Sequence, residues 1–261
     1  MCKLNHKITC LFILCLLALP TNAQKDRTWG IVKSALHGLE YEVKAGLNIG
    51  GTSPIPLPRE IREINSYRPD LALTLGTEIS KWFGAEQKWG FIFGLTLDTK
   101  AMKTDATVKN YGMEIIETTG KLKGQWTGNV KTKFRNSYIT LPLLAGYKIS
   151  NRVQFKGGTY FSYVLEREFS GHVYDGYLRE GDPTGPKVEF KDGNTATYDF
   201  SDDLRRFQWG LQFGTEWRAF KHLTVYADLN WGLNNIFKKG FETITFNMYP
   251  IYLNMGFGYA F

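Results

Sequence analysis

The sequence predicts an all-β protein, an eight-stranded antiparallel up-and-down transmembrane β-barrel, with ten strands as an open variant. Three observations predict it: eight segments alternate at period two, one of the two faces so generated carries no charge, and the connections alternate long and short. The segments are HGLEYEVKAGLNIGG, PDLALTLGTEIS, FIFGLTLDT, YITLPLLAGYKI, VQFKGGTYFSYVL, FQWGLQFGTEW, LTVYADLNWGL and the closing YLNMGFGYAF. Period-two alternation places successive side chains on opposite faces of a strand.

In all eight segments the large residues fall on odd numbers. Across odd positions 41–49, 71–79, 91–99, 139–147, 153–165, 207–217, 223–233 and 249–261, only Thr77, Thr99, Gly157, Thr159 and Thr215 are neither apolar nor aromatic. The even positions between them hold glycines, small polar residues and the charges Glu42, Lys44, Glu78, Asp98, Lys156, Glu216 and Asp228. A soluble barrel would turn the bulky face inward, whereas a membrane barrel turns it to lipid. Bulk decides between them. Phe91, Phe93, Phe155, Phe161, Phe207, Trp209 and their like overfill an eight-stranded lumen, while glycine and small polar groups suit it. One Lys or Arg facing mid-bilayer costs about 2–4 kcal/mol, so the odd set should be chargeless, and the sheet must close because lipid offers unpaired backbone groups no partner.

The connections are 50–70, 80–90, 100–138, 148–152, 166–206, 218–222 and 234–248. Long loops are expected outside the cell and short turns in the periplasm, with both termini periplasmic. Ser150-Asn151 and Lys221-His222 read as tight turns. An aromatic girdle is expected from Trp82, Phe83, Trp89, Tyr147, Trp217 and Phe220 at one interface and Tyr163, Phe207 and Trp231 at the other. ATVKNYG and KVEFKDGNTATYDF, the second with Asp192-Gly193, read as hairpins carrying strands past the membrane. A tenth strand would require 166–206 to donate a membrane hairpin, against its charge density.

Residues 1–23 read as a secretory signal: Lys3 and Lys7, an apolar run from Ile8 to Leu19 too short to span a bilayer, and Thr21-Asn22-Ala23 ahead of cleavage after Ala23. A lipoprotein anchor at Cys10 or Cys15 is the alternative, without the small-residue pattern it needs. Residues 24–37 are expected as a periplasmic tail or a short plug, and 38–261 as the barrel domain. All three cysteines lie in the signal, so the mature chain has no thiolate nucleophile or disulfide, and His37, His172 and His222 are too few for most zinc sites. Removing Lys3 and Lys7 from the formal +7 leaves +5, too mild and diffuse for nucleic acid. No cofactor or metal is expected, and no enzyme.

YEVKAGLNIGG with its Lys-x-Gly-x-Asn pattern, SYITLPLLAGYKI with Pro142-Leu143 before Tyr147-Lys148, and LNMGFGYAF together resemble the PorT-like outer-membrane β-barrel domain family of Gram-negative bacteria, over roughly residues 38–261. The resemblance implies the fold and the location, and a link to a secretion pathway through the family's namesake. It carries no motif onto 100–138 or 166–206. A terminal aromatic after alternating apolar residues also resembles the signal read by outer-membrane assembly machinery, which makes Tyr259 and Phe261 its expected carriers.

Four candidate sites follow. Glu42, Lys44, Glu78, Asp98, Lys156, Glu216, Arg218 and Asp228, with Glu40, should face the lumen as an ion-pair network, or else as a narrow ion path with weak cation preference. Region 100–138 carries eight Lys/Arg against three acids, and region 166–206 six against ten. The two could pair with each other, and Lys100, Lys103, Lys131, Lys133 and Arg135 could also meet phosphates of outer-membrane lipid and lipopolysaccharide. A surface hydrolase would rest on His172 with Ser170 and Asp175. Asp199, Asp202 and Asp203 lack an EF-type calcium spacing and read as a solvated turn. The function so predicted is structural or binding at the envelope, with an accessory role beside an unknown protein partner in assembly or secretion, a small channel, or a hydrolase as alternatives.

Overall fold

The computed structural model describes residues 37–117 and 120–261. The signal sequence, its cleavage point and the tail up to residue 36 lie outside them. Ten strands form the unit Leu39–Phe261: β1 (Leu39–Pro54), β2 (Ile61–Pro69), β3 (Leu73–Phe83), β4 (Trp89–Glu117), β5 (Gly120–Lys148), β6 (Val153–Glu180), β7 (Lys187–Asp199), β8 (Phe207–Arg218), β9 (Leu223–Gly232) and β10 (Met248–Ala260). Eight of them close a ring, each antiparallel to the next: β1–β3–β4–β5–β6–β8–β9–β10 and back to β1. The closing ladder runs from Glu42↔Ala260 to Pro54↔Met248, so the last strand pairs with the first. β2 and β7 stand outside the ring, on extensions of β4 and β6.

The odd residues of the ring point outward. Leu75, Phe91, Phe93, Leu141, Phe155, Phe213 and Phe257 are all more than a third exposed, and this apolar belt encircles the barrel. Even residues fill the lumen, and the glycines among them make room for charge. A Cβ on Gly214 would lie 1.9 Å from Asp228 Oδ1, and one on Gly258 would lie 1.9 Å from Glu42 Oε1.

Three departures from the sequence reading stand out. The segment 100–138 is not a loop: β4 and β5 are 29 residues each and β6 is 28, where about 9–11 tilted residues cross a bilayer. ATVKNYG is not a hairpin but a bulge inside β4, where Asn110 takes φ 51° and the register shifts between Val108 and Tyr111. Asp192-Gly193 is not a turn either. It lies in β7, in a stretch that bulges because Tyr174 pairs with Thr195 while Gly176 pairs with Phe190, and the β6–β7 turn is near Gly181.

These bulges explain the extensions. Those on β4 near Asn110 and on β6 near Leu165 each insert one residue and switch which parity faces inward. Val108 is buried as an even residue, but Tyr111, Met113 and Ile115 are buried as odd ones. On β6 the register shift opposite Ser137 and Tyr138 does the same, so Val164 is followed inward by Phe169 and Val173. The inward faces meet in an apolar core of Trp126, Phe134, Phe169, Val173, Leu204 and Phe237, well past the lipid belt. Residues 200–206 and 233–247 are stitched over it by a Leu204↔Phe237 bridge and by the Arg205 Nε–H donating to the Phe237 carbonyl at 2.6 Å. The oppositely charged regions 100–138 and 166–206 are paired along β5 and β6, with Lys133 2.7 Å from Glu168. We call this assembly the cap.

Candidate functional site

Four levels occupy the axis of the barrel. At the short-turn end Trp82, an even residue, points inward over Gly90 and Gly146, which leave its ring space that a Cβ would take. Its indole N–H donates to Glu40 at 3.0 Å, and the Lys148 ammonium lies 3.9 Å above the ring. Trp82 therefore caps the lumen and is not part of the girdle, because its place in the pleat faces in.

Above it lies the charged level. Lys44 Nζ sits 2.6 Å from Glu78, 2.7 Å from Glu216 and 3.4 Å from Glu42, and Lys156 Nζ is 3.0 Å from Glu78 and 2.9 Å from Asp228. Gln154 donates to Glu216, Gln212 to Asp228 and Thr224 to Glu42. The sequence-predicted lumen set is thus gathered in one place, with three exceptions. Glu40 stands at the short-turn end with Trp82 and Lys148. The Arg218 side chain is 39% exposed at the strand end and among the described residues pairs with Glu40, at 3.8 Å, so it belongs to the rim, where β8 meets solvent. Asp98 lies one level higher, accepting from Thr140 at 2.7 Å. Glu42, Glu78 and Glu216 bring carboxylate oxygens within 4.8 Å of one another, a spacing that could hold a metal. The Lys44 ammonium already sits among them and supplies the positive charge.

The third level is amide and hydroxyl: Asn254 donates to Asn48 and Thr74, and Asn48 to the Thr99 carbonyl. At the fourth, Lys100 is 2% exposed, 3.6 Å from Asp98, and its ammonium faces the rings of Tyr138, Tyr160 and Tyr252 at 4.8–5.9 Å. Lys100 therefore makes no contact with lipid phosphate. As an even residue of β4 it continues the lumen face. A pocket of about 40 Å³ lies in the lumen between Lys44, Asn48, Asp98 and Asp228, room for no more than a few water molecules.

The other four proposed phosphate ligands do face outward. Lys103 stands opposite Lys133 across the β4–β5 ladder, Lys131 opposite Asp105, and Arg135 opposite Ala101. Their side chains are about half exposed, and each has an acid nearby: Asp70 for Lys103 and Arg135, Asp105 for Lys131, Glu168 for Lys133. The hydrogen-bonded Lys103 ammonium holds the Asp70 carboxyl below its ordinary value. Burial, and then the bond to Asp105, push the Tyr174 phenol up to about 12, so it stays a donor to that carboxylate. Arg68, Lys103, Lys131, Lys133 and His172 line a cleft of about 810 Å³ across the outside of β2, β4, β5, β6 and β7. This cleft is not legible in the sequence, since its residues come from five strands and lie between Ser66 and Asp199.

The hydrolase grouping is not assembled. His172 pairs in register with Lys131 and Thr197, Ser170 donates to Glu168, and Asp175 sits in a bulge with φ 46°. No hydrogen bond joins His172 to either among the described residues. Asp199 accepts from the Ser201 N–H, and Asp202 pairs with Arg167, so these carboxylates do not converge on a cation. Tyr259 and Phe261 point outward, and the Phe261 N–H donates to the Tyr41 carbonyl at 3.0 Å.

A closed antiparallel ring with an apolar outer belt and a polar, ionised interior is the geometry of a membrane-spanning barrel. The family model for the outer membrane protein β-barrel domain matches residues 22–238. The chain belongs to that family. No curated protein matches it. Among solved structures it is similar to Ail, the attachment invasion locus protein of Yersinia pestis, in complex with the heparin analogue sucrose octasulfate (9% identity, 85% of this chain and 97% of that one, TM-score 0.33). It is similar also to the outer membrane protein OprG from Pseudomonas aeruginosa (14%, 85% and 95%, TM-score 0.35) and to the translocator domain of the autotransporter NalP from Neisseria meningitidis (13%, 90% and 94%, TM-score 0.25).

Proposed function

We infer that the protein is an outer-membrane barrel that acts by binding at its external face and passes no solute through its lumen. The observation that carries this reading is the placement of space. The axis is filled by Trp82, the Lys44–Glu78–Lys156–Asp228 network and Lys100 with its tyrosines, while the large concavity lies outside, in the cap. The cap's cations Lys103, Lys131, Lys133 and Arg135 stand a short way beyond the lipid belt. There they would meet phosphates of outer-leaflet lipid and lipopolysaccharide, each near-surface charge contributing about 1 kcal/mol. In this reading both termini are periplasmic, the signal is removed after Ala23, and Tyr259 and Phe261 carry the assembly signal. The resemblance to the PorT-like family supports an accessory role in envelope assembly or secretion, with a protein partner that co-purification from membranes would reveal.

Planar-bilayer recordings test it. The purified protein should leave the membrane at its bare conductance, and steady ionic steps would favour a channel instead. Substituting Lys103, Lys131, Lys133 and Arg135 together by Gln should reduce co-purifying lipopolysaccharide several-fold without changing the yield of folded barrel. Unchanged retention would remove those residues from the binding role.

A further inference from the structure

β3 stops at Leu73, level with Leu47 of β1, and pairs no further than Asp98 on β4. Beyond that level β1 runs on to Pro54 and β4 to Glu117 with no strand of the ring between them. β2 fills part of the space by pairing with β4 from Pro69↔Met102 to Ile61↔Val108, but its register breaks twice and it forms no ladder with β1. Side chains serve the facing edge of β1 instead. The Tyr67 hydroxyl donates to the Gly50 carbonyl at 2.5 Å, and the Thr52 N–H points to Met102 Sδ at 3.2 Å. Backbone groups so satisfied need no neighbouring strand, and the wall keeps a seam. A cavity of about 310 Å³ lies in it.

The walls of this cavity include Met102, Val108, Tyr111, Val130 and Phe169, all buried, and its rim includes Leu57 and Ile64, both more than half exposed. None of its lining residues is charged. Thr52 lines it at 3% exposure. Its hydroxyl lies beside that of Tyr252, and neither makes a hydrogen bond of good geometry, although buried hydroxyls are nearly always bonded. The lower lip, Gly51 and Ile251, sits two residues along the ladder from Ile49 and Leu253 of the outward apolar face.

We propose that this seam cavity is a binding site for one small, uncharged, mainly hydrocarbon molecule carrying a single hydroxyl or carbonyl. An apolar cavity of ~150 Å³ takes up benzene, so this one has room for a ligand about twice that size. The hydrocarbon part meets Met102, Val108, Val130 and Phe169, and the polar atom meets the Thr52 hydroxyl. A carboxylate would find no cation there and would remain desolvated and unpaired. The site is separate from the cation row and does not depend on it.

A diazirine-bearing decanol, photolysed with the full-length protein in lipid nanodiscs, tests the site through the positions it labels. Labels are expected on Thr52 and between Met102 and Tyr111, displaced by unlabelled decanol and at least about tenfold less well by decanoate, whose charge the site cannot pair. Ala106→Trp, which fills the cavity, should abolish them while leaving the belt labels on Phe91 and Phe93. Should that variant fail to fold, Ile64→Lys at the exposed rim should weaken the cavity labels at least several-fold. Labels confined to the belt, cavity labels indifferent to the folded variant, or equal displacement by decanoate would overturn the proposal.

Discussion

Lys156→Met should destabilise the barrel by about 3–5 kcal/mol, because removing one partner of a buried ion pair strands the other's charge. The Lys156 ammonium is wholly buried and bonds to Glu78 and to Asp228. Glu78 would keep Lys44 at 2.6 Å, but Asp228 would keep only the Gln212 amide. The loss should therefore come mainly through Asp228. Adding Asp228→Asn should recover a large part of it, since contacting residues couple by about 0.5–3 kcal/mol. Urea titration in detergent, followed by heat-modifiable gel migration, measures both variants. A cost below 1 kcal/mol, or simple additivity of the pair, would mean the network is solvated rather than sealed.

Phe169→Ala should cost about 3–5 kcal/mol, but in the cap rather than in the ring. The Phe169 ring lies 5.2 Å from Phe237, 6.2 Å from Phe200 and 6.3 Å from Phe134, and so joins β5, β6 and the segments at 200–206 and 233–247. None of these contacts is shared with the charged lumen level. The variant should lose protease resistance at the lysines and arginines of 166–206 while keeping the migration of a folded barrel. Loss of both together would show that cap and ring are one cooperative unit. Retention of both would show that the cap core is dispensable.

Much of the ring was legible because lipid imposes a strict rule on parity. Each of the eight alternating segments lies within a strand of the closed ring or overlaps it, and the chargeless odd face is the exposed one. Lys100 and Trp82 were misplaced by segment boundaries rather than by the rule. Both are even, and continuing the alternation one residue past Thr99, or three past Ile79, would have turned them inward. The extensions were hidden for a physical reason. The bulges near Asn110, Leu165 and Asp175 reverse parity, so a single alternation cannot be followed through β4 and β6. β2 was hidden because nearly all of it is exposed and it has no buried face to impose a pattern. The lumen pairing could be foreseen as a set of facing charges. Which ammonium meets which carboxylate depends on strand registers spanning up to 172 residues, as for Lys44 and Glu216.

The direction of the two faces decides between a membrane barrel and a soluble one, and the absence of cysteine from residues 37–261 allows a clean test. Single nitroxide labels introduced by Trp209→Cys, Leu211→Cys and Phe213→Cys, and by Gln208→Cys and Gln212→Cys, report collision with oxygen and with a water-soluble nickel chelate in a lipid bilayer. The odd sites should show high oxygen and low nickel accessibility, and the even sites low accessibility to both. Nickel access at the odd sites, or no alternation along β8, would contradict a lipid-facing odd row around a sealed lumen.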